Sequence, residues 1–126
     1  MNKQTLNTQN APAAIGPYSQ GVKVGNLIVT SGQLPINTQS GELVADIEGA
    51  TKQSLDNVKA ILESSGSSMD KVVKTVVFLK DMNDFAAMNT VYATYFPNNP
   101  PARSAVQVAR LPKDAIVEIE AIALAE

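Results

Sequence analysis

The hydrophobic positions along this chain change period several times, and these changes divide it into strands and helices. Residues 20–34 contain two β-rich runs joined at Gly25-Asn26, a pair that tolerates the positive φ of a hairpin turn. The sequence TQSG at 38–41 marks a second turn. Further strands are predicted in three segments: 71–80, 103–108 and 115–124.

Two segments between these strands have apolar residues at helical spacing instead. The first predicted helix begins after Asp46, a residue type that caps helix N-termini, and ends at Gly66, which can adopt the left-handed conformation. The second begins at Asn83 or Asp84 and ends before Pro97. Its apolar face is expected to contain Phe85, Met88, Tyr92 and Phe96.

The resulting order of strands, helix, strand, helix and strands is typical of an α+β domain with one mixed or antiparallel sheet. A chain of 126 residues suits a single domain, 1–126, with a core of its own. Apolar residues occur on both predicted faces of the strands: Val72, Val76 and Phe78 alternate with Val73, Val77 and Leu79, and Leu27 and Val29 alternate with Ile28. Since two helices cover one face only, we expect the other face to meet another subunit.

Composition limits the possible chemistry. The chain contains no histidine and no cysteine, which excludes a histidine-based triad, a thiol nucleophile and a thiolate metal site. Its acidic residues form no cluster resembling a calcium loop. The net charge is −2 and the lysines are scattered, which argues against a nucleic-acid groove. Because no apolar run is long enough for a leader or a membrane helix, we expect a soluble, cytoplasmic protein that does not bind membranes.

The closing segment, PPARSAVQVARLPKDAIVEIEAIALAE, contains both arginines of the chain and two carboxylates set in an apolar strand. Glu118 and Glu120 point to the same face of that strand, and burying either without a partner would be costly. Arg103 is a natural partner for them, or a natural receptor for the carboxylate of a ligand. Alternatively, the two glutamates lie near a sheet edge and form ordinary surface salt bridges.

Other positions raise the question of a ligand. Tyr18 ends a constrained turn in AIGPYSQG, and Ser31-Gly32 interrupts an apolar strand, as glycine does at a bulge or where another group approaches closely. Asn89 is a polar residue within the second helix. Each feature alone also suits a purely structural role, and neither glycine segment matches a phosphate-binding loop.

Five segments together closely resemble the RidA/YjgF family of reactive-intermediate deaminases, in the same order and nearly end to end: APAAIGPYSQG, VTSGQLP, QSLDNVKAIL, KTVVFLKDMNDFAAMN and PARSAVQVARLPKDAIVEIEAIA. The resemblance implies a chorismate-mutase-like α+β fold, with a six-stranded mixed sheet and two helices on one face. It also implies a homotrimer with a barrel-like core and ligand clefts between subunits.

The activity that the resemblance implies is hydrolysis of enamine and imine acids released by pyridoxal-phosphate enzymes. The expected substrates are 2-aminoacrylate and 2-aminocrotonate with their imine tautomers, 2-iminopropanoate and 2-iminobutanoate, and the products are 2-keto acids and ammonia. This reaction calls for no metal or organic cofactor.

By motif match, Arg103 resembles the family's carboxylate-binding arginine, and Glu118 resembles the acid that positions water. The residues that resemble other lining positions of the same cleft are Tyr18, Ser31, Gly32 and Asn89. Glu120 is expected to be structural. Ala105 stands where many relatives have cysteine, so this position supplies no nucleophile, and the expected hydrolysis needs none.

Two other functions are also compatible with the sequence. One is an endoribonuclease or translation inhibitor, although the chain has neither a histidine pair nor a basic stripe interleaved with aromatic residues. The other is a non-enzymatic trimer that binds small carboxylates or acts as a chaperone. A pure binder of anions would have no need of Glu118 near its ligand.

Overall fold

A mixed sheet covered on one face by two helices forms the protein, as the computed structural model shows for residues 2–126. The strands are β1 (Lys3–Leu6), β2 (Gly21–Val24), β3 (Leu27–Thr30), β4 (Val72–Leu79), β5 (Ala102–Gln107) and β6 (Val117–Leu124). The helices are α1 (Ile47–Glu63) and α2 (Phe85–Tyr95). The strand order is β1-β2-β3-β6-β4-β5, and only the β4–β5 pair within this sheet is parallel. The expected α+β fold is confirmed.

The two helices begin in different ways. Asp46 caps α1 as predicted, since its Oδ2 accepts a hydrogen bond of 2.8 Å from the backbone N–H of Gly49. Asp84, one of the two predicted caps, occupies the N-cap position of α2, but its side chain makes no capping hydrogen bond. A single 3₁₀ turn precedes α2, and Asp81 caps that turn by accepting from Asn83 N–H.

Glycines with positive φ occur at predicted chain reversals. Gly25, between β2 and β3, has φ 56°, which confirms the predicted hairpin. Gly66, just beyond α1, has φ 85° and ends the helix as expected. The first strand, β1, was not predicted. It is a short edge strand of sequence KQTL with three exposed residues, so no hydrophobic pattern marks it.

The core lies between the sheet and the helices. Its largest fully buried apolar side chains are Ile28, Leu55, Val58, Ile61, Leu62, Val77, Leu79, Met88, Val117 and Ile119. Burial of such a side chain contributes roughly 2 kcal/mol to folding. The inward residues of β6 alternate with Glu118, Glu120 and Ile122 as predicted, and this alternation sends both glutamates to the face without helices.

A bulge in β4 corrects one prediction. The register of β4 against β6 shifts just after Val72, so that Val73 is an extra residue. Val72 and Val77 are both buried, whereas Val73 is 42% exposed. The predicted grouping of Val72 with Val76 and Phe78 is therefore wrong, because the bulge moves the alternation by one residue.

The face of the sheet without helices is apolar, as the sequence predicts. Five of its large apolar side chains are between 38% and 42% exposed: Leu27, Val29, Val73, Val106 and Leu124. We call these five residues the apolar face. Neither α1 nor α2, the two α-helices within residues 2–126, is long and apolar enough to cross a membrane.

Candidate active site

Four of the six predicted site residues line one cleft of about 940 Å³. Glu118 of β6 enters it from the face of the sheet without helices, and Tyr18, Ser31 and Gly32 form part of its wall. The remaining wall comes from irregular segments near residues 7–13, 33–41 and 112–113. The cleft is therefore built by loops around one strand-borne carboxylate.

The chain passes close to Glu118 because β3 leaves the sheet early. The side chain of Thr30 accepts a hydrogen bond of 3.1 Å from Ala121 N–H, and regular pairing with β6 stops there. It resumes as a single bridge between Gln33 and Ile119. Gly32 lies in the unpaired stretch between the end of β3 and this bridge. A Cβ atom on Gly32 would be 2.7 Å from the Cδ of Glu118. The expected close approach at this glycine is thus made by the carboxylate.

The surroundings of Glu118 change its acidity. Burial, and secondarily the charge of Glu120, raise the pKa of the Glu118 carboxyl above its ordinary value. Both glutamates lie on β6, between β3 and β4, rather than at an edge of the sheet. A carboxyl group with a raised pKa can accept a proton from water and return it later.

Neither arginine pairs with these glutamates. Arg110 forms an exposed ion pair with Asp114, with Nε–Oδ1 2.7 Å. Within residues 2–126 the one other ion pair joins two residues of α1. Both arrangements that the sequence suggested for Glu118 and Glu120, pairing with Arg103 and ordinary salt bridges at an edge, are therefore wrong within one chain.

Ser31 and Tyr18 are held by the loop that precedes β2. Ser31 Oγ donates a hydrogen bond of 2.5 Å to the carbonyl of Ser19, which leaves its hydroxyl only acceptor capacity toward a ligand. The backbone N–H of Tyr18 donates to the carbonyl of Gly16 at 2.8 Å, and its side chain is 51% exposed. The aromatic ring is thus available at the rim of the cleft.

Arg103 and Asn89, the other two predicted site residues, lie together outside this cleft. Arg103 is opposite Thr75 in the parallel ladder of β4 and β5, on the side of the sheet that the helices cover. Its Nη1 donates a hydrogen bond of 2.6 Å to Asn89 Oδ1. Its Cζ is 4.7 Å from the ring centre of Tyr92 and 5.3 Å from that of Phe85, distances typical of cation–π contacts. Phe85, Asn89 and Tyr92, which we call the arginine cradle, occur at i, i+4 and i+7 of α2.

Within one chain, Arg103 and Asn89 are separated from the cleft that contains Glu118. Arg103 faces the helices from the edge strand β5, whereas Glu118 faces away from them, and β4 lies between their strands. The structure thus brings Tyr18, Ser31, Gly32 and Glu118 together, and Arg103 and Asn89 together, but not all six residues.

Sequence reasoning missed two contacts of Arg103 and one part of the cleft. It assigned Phe85 and Tyr92 to the core face of α2, although their spacing from Asn89 could have indicated a common face. It also missed Pro112 and Lys113, which line the cleft. Lys113 has φ 57°, a left-handed conformation that no local pattern predicts. No three acidic side chains within residues 2–126 are grouped as metal ligands would be.

The mixed sheet, the two helices, the half-buried carboxylate and the cradled guanidinium define an α+β protein whose reactive groups are neither histidine nor thiol. The chain belongs to the family described as endoribonuclease L-PSP, which it matches over residues 8–125.

Similar proteins refine this assignment. The chain is 56% identical over 124 residues to the 2-iminobutanoate/2-iminopropanoate deaminase of Escherichia coli (strain K12), covering 96% of this chain and 97% of that protein. The crystal structure of the E. coli YjgF gene product has a TM-score of 0.93 at 56% identity, over 96% and 98% of the two chains. That of E. coli TdcF with bound serine has a TM-score of 0.93 at 50% identity, with the same coverage. The resemblance to the RidA/YjgF family is confirmed.

Proposed function

We propose that this protein hydrolyses 2-iminobutanoate and 2-iminopropanoate, with their enamine tautomers 2-aminocrotonate and 2-aminoacrylate, to 2-keto acids and ammonia. The observation that carries the proposal is the 56% identity, over nearly both full chains, with an E. coli deaminase named for these two imines. The substrates arise from pyridoxal-phosphate enzymes, so the protein would work beside those enzymes in the cytoplasm and protect them.

Arg103 is the proposed carboxylate receptor. Its Nη1 is engaged by Asn89, which leaves the Nη2 and Nε edge of the guanidinium for two parallel hydrogen bonds to a carboxylate. The serine bound in E. coli TdcF supports a site for small amino or imino acids, since serine carries the same carboxylate. Fixing this end of the substrate would hold its imine carbon beside a bound water.

Glu118 is the proposed acid and base. As the water oxygen bonds to the imine carbon, Glu118 accepts a proton from the water, and the C=N π electrons move to nitrogen. Glu118 returns that proton to the nitrogen, which gives a carbinolamine. The hydroxyl proton of the carbinolamine then passes by way of Glu118 to the amino nitrogen as the C–N bond breaks, which releases ammonia and leaves the keto group. A raised pKa suits a carboxyl group that must take up a proton and then return it.

The proposed reaction requires two copies of the chain. A three- or four-carbon acid cannot contact Arg103 and Glu118 from opposite faces of one sheet. We infer a homotrimer in which Arg103 of one copy meets the Glu118 cleft of the next, with a barrel-like core formed by the apolar face. Closed cyclic symmetry repeats one such contact around the ring and gives three equivalent sites.

The first experiment measures imine hydrolysis. Purified protein is coupled to an amino-acid oxidase that generates 2-iminobutanoate, and imine loss is followed against the spontaneous rate. Loss of the charged anchor in Arg103→Ala should cost about 3 kcal/mol, or roughly a hundredfold in kcat/KM. Lys52→Ala, which breaks the exposed ion pair with Asp56 on α1, is the control and should match the parent, because neither residue lines the cleft. A parent protein no faster than buffer would remove the proposal.

The second experiment tests the shared site. Glu118→Gln should lower the rate more than it weakens binding of 2-oxobutanoate, whereas a protein that only binds would tolerate the change. Co-expression of Arg103→Ala and Glu118→Gln chains with different tags should then restore activity. Random mixing regenerates about a quarter of the Arg103–Glu118 contacts between copies. If mixed trimers stay as inactive as either variant alone, the site does not lie between copies.

Ribonuclease activity is the second candidate, because the family description names an endoribonuclease. RNA cleavage would have to proceed without histidine and without a basic stripe. A cleavage assay with the parent and Arg103→Ala proteins separates the possibilities. Cleavage that survives purification and disappears with Arg103 would favour RNA as a substrate, whereas cleavage equal in both proteins would indicate a contaminant.

A further inference from the structure

Tyr92 connects the arginine cradle to the sheet. Its side chain is buried on α2, and its hydroxyl forms a hydrogen bond of 2.7 Å with Thr75 Oγ1. Thr75 is itself buried, and it is the residue of β4 directly opposite Arg103. The same ring lies 4.7 Å from the Arg103 guanidinium carbon. One tyrosine thus contacts both the arginine and the neighbouring residue of the adjacent strand.

This geometry restrains a flexible side chain. Arginine has several rotatable bonds, so a guanidinium that must form two parallel hydrogen bonds loses affinity if it samples many orientations. A ring packed near its planar group favours one orientation. The bond to Thr75 keeps the ring from shifting, and Asn89 fixes the Nη1 end. With the guanidinium held in one orientation, its Nη2 and Nε edge remains for the carboxylate of the ligand.

We propose that Tyr92 is a positioning residue for Arg103, and that its hydrogen bond to Thr75 sets the guanidinium orientation in which a substrate carboxylate is bound. This inference rests on the proposed role of Arg103. It predicts that the hydroxyl of Tyr92 affects substrate binding although it does not touch the substrate.

A purely structural role is the alternative. Tyr92 also packs against Phe96, with ring centres 4.8 Å apart, so its substitution can disturb the core. If Tyr92 has only a structural role, its substitution lowers the stability of the protein and weakens ligand binding equally, whichever residue occupies position 103. A positioning role instead depends on the planar fork of arginine, because the round ammonium of lysine has no fork to orient. The two roles are therefore separable by a double-mutant cycle.

The experiment measures the Kd of 2-oxobutanoate by calorimetry, together with kcat and KM for 2-iminobutanoate. The variants are Tyr92→Phe and Thr75→Val, each in the parent and in an Arg103→Lys background. Tyr95→Phe is the matched control: Tyr95 is the next tyrosine of α2, and its hydroxyl donates to Asp56 on α1, away from Arg103. Tyr92→Leu, which removes the ring, is added as a stronger variant.

In the parent background, Tyr92→Phe and Thr75→Val should each raise Kd and KM by roughly three- to tenfold, with kcat changed less because Glu118 is intact. Both together should cost no more than one, since they break the same hydrogen bond. In the Arg103→Lys background the increase should vanish, and Tyr95→Phe should bind like the parent. If Tyr92→Leu does not fold, the other two variants decide the question.

Unchanged Kd in Tyr92→Phe, or an equal increase in both backgrounds, would overturn the positioning role. The binding measurement also separates this inference from the proposed activity. A parent protein that binds 2-oxobutanoate without accelerating imine loss refutes the activity, while the cycle of Kd values still tests Tyr92. A parent that accelerates imine loss without binding 2-oxobutanoate retains the activity, and the KM values of the same variants then decide the role of Tyr92.

Discussion

Glu118 shows how a single residue acquires its properties from its neighbours. In an exposed strand it would be an ordinary glutamate, but here burial raises the pKa of its carboxyl, and Glu120 adds to the effect. Gly32 approaches so closely that no side chain fits between them. The proposed chemistry therefore depends on the environment of Glu118 as much as on its identity.

The raised pKa of Glu118 predicts a change of stability with pH. The folded protein binds this proton more tightly than the unfolded chain, whose carboxyl titrates near 4.5. The resulting stabilisation is complete below that value and is lost as the pH rises through the raised folded pKa. Glu118→Gln should therefore gain stability relative to the parent between pH 4 and pH 7, as measured by chemical denaturation. The exposed Glu42→Gln is the control, and a difference independent of pH would contradict the assignment.

Gly32→Ala should damage activity more than stability. The added methyl would lie 2.7 Å from the Cδ of Glu118, so the carboxyl must move, and a flexible side chain can do so at little cost in folding. We expect kcat for 2-iminobutanoate to fall roughly tenfold, because displacing a proton-transfer group by about 1 Å carries a penalty of at least this size. The unfolding temperature should change little.

Gly49→Ala is the matched control for this substitution and should keep the activity of the parent. Its methyl would also crowd a carboxylate, that of Asp46 at 2.8 Å, but at the N-terminus of α1 and not among the residues that line the cleft. Full activity in Gly32→Ala would show that the close approach to Glu118 has no functional importance.

At the scale of elements, one side chain holds a loop that lines the cleft. Gln20 is only 2% exposed. Its Nε2 donates to the carbonyls of Thr8, Ala11 and Pro12 at 3.0, 3.3 and 2.8 Å, and its Oε1 accepts from Thr8 N–H at 2.7 Å. Residues 8–12 thus depend on Gln20 for their place beside β2.

Gln20→Ala should release this loop. Leaving several buried backbone groups without partners should lower the free energy of unfolding by about 2 kcal/mol. Amide hydrogen exchange should accelerate over residues 8–12 while α1 and β6 remain protected. Gln39→Ala, at an exposed turn, is the control and should change neither property. Uniformly faster exchange over the whole chain would indicate general destabilisation and refute this local role.

At the scale of the whole molecule, the sheet has two apolar faces and one layer of helices. The apolar face leaves five large apolar side chains between 38% and 42% exposed, and Glu118 lies on the same side of the sheet. The proposed packing of copies and the proposed active site are therefore parts of one arrangement. Loss of the assembly should abolish the activity even when every site residue is present.

Val29→Lys tests this dependence. A charge in the middle of the apolar face should oppose association, so that sedimentation velocity gives a monomer with native circular dichroism and no imine hydrolysis. Met82→Lys is the matched control, since Met82 is comparably exposed but lies on the 3₁₀ turn before α2. A Val29→Lys protein with unchanged mass and full activity would exclude this face as the interface.

The sequence alone predicts the elements with strong local signals. The cap of α1, the Gly25 turn and the alternation of β6 all depend on residues close together in the chain, and all are confirmed. The same reasoning misses β1, which has no hydrophobic pattern, and misreads the faces of β4 at its bulge. A bulge is decided by pairing with another strand, so a count along one strand cannot reveal it.

For the site, the residues alone establish which groups are present: the Arg103 guanidinium in PARS, the two carboxylates of Glu118 and Glu120 in VEIEA, and no histidine or thiol. Their placement depends on the three-dimensional fold. The order β6-β4-β5 and the inward turn of Arg103 put the two groups on opposite faces, and the spacing of Phe85, Asn89 and Tyr92 on α2 surrounds the arginine. Strand order and facing depend on contacts between residues far apart in the chain, which no local pattern contains.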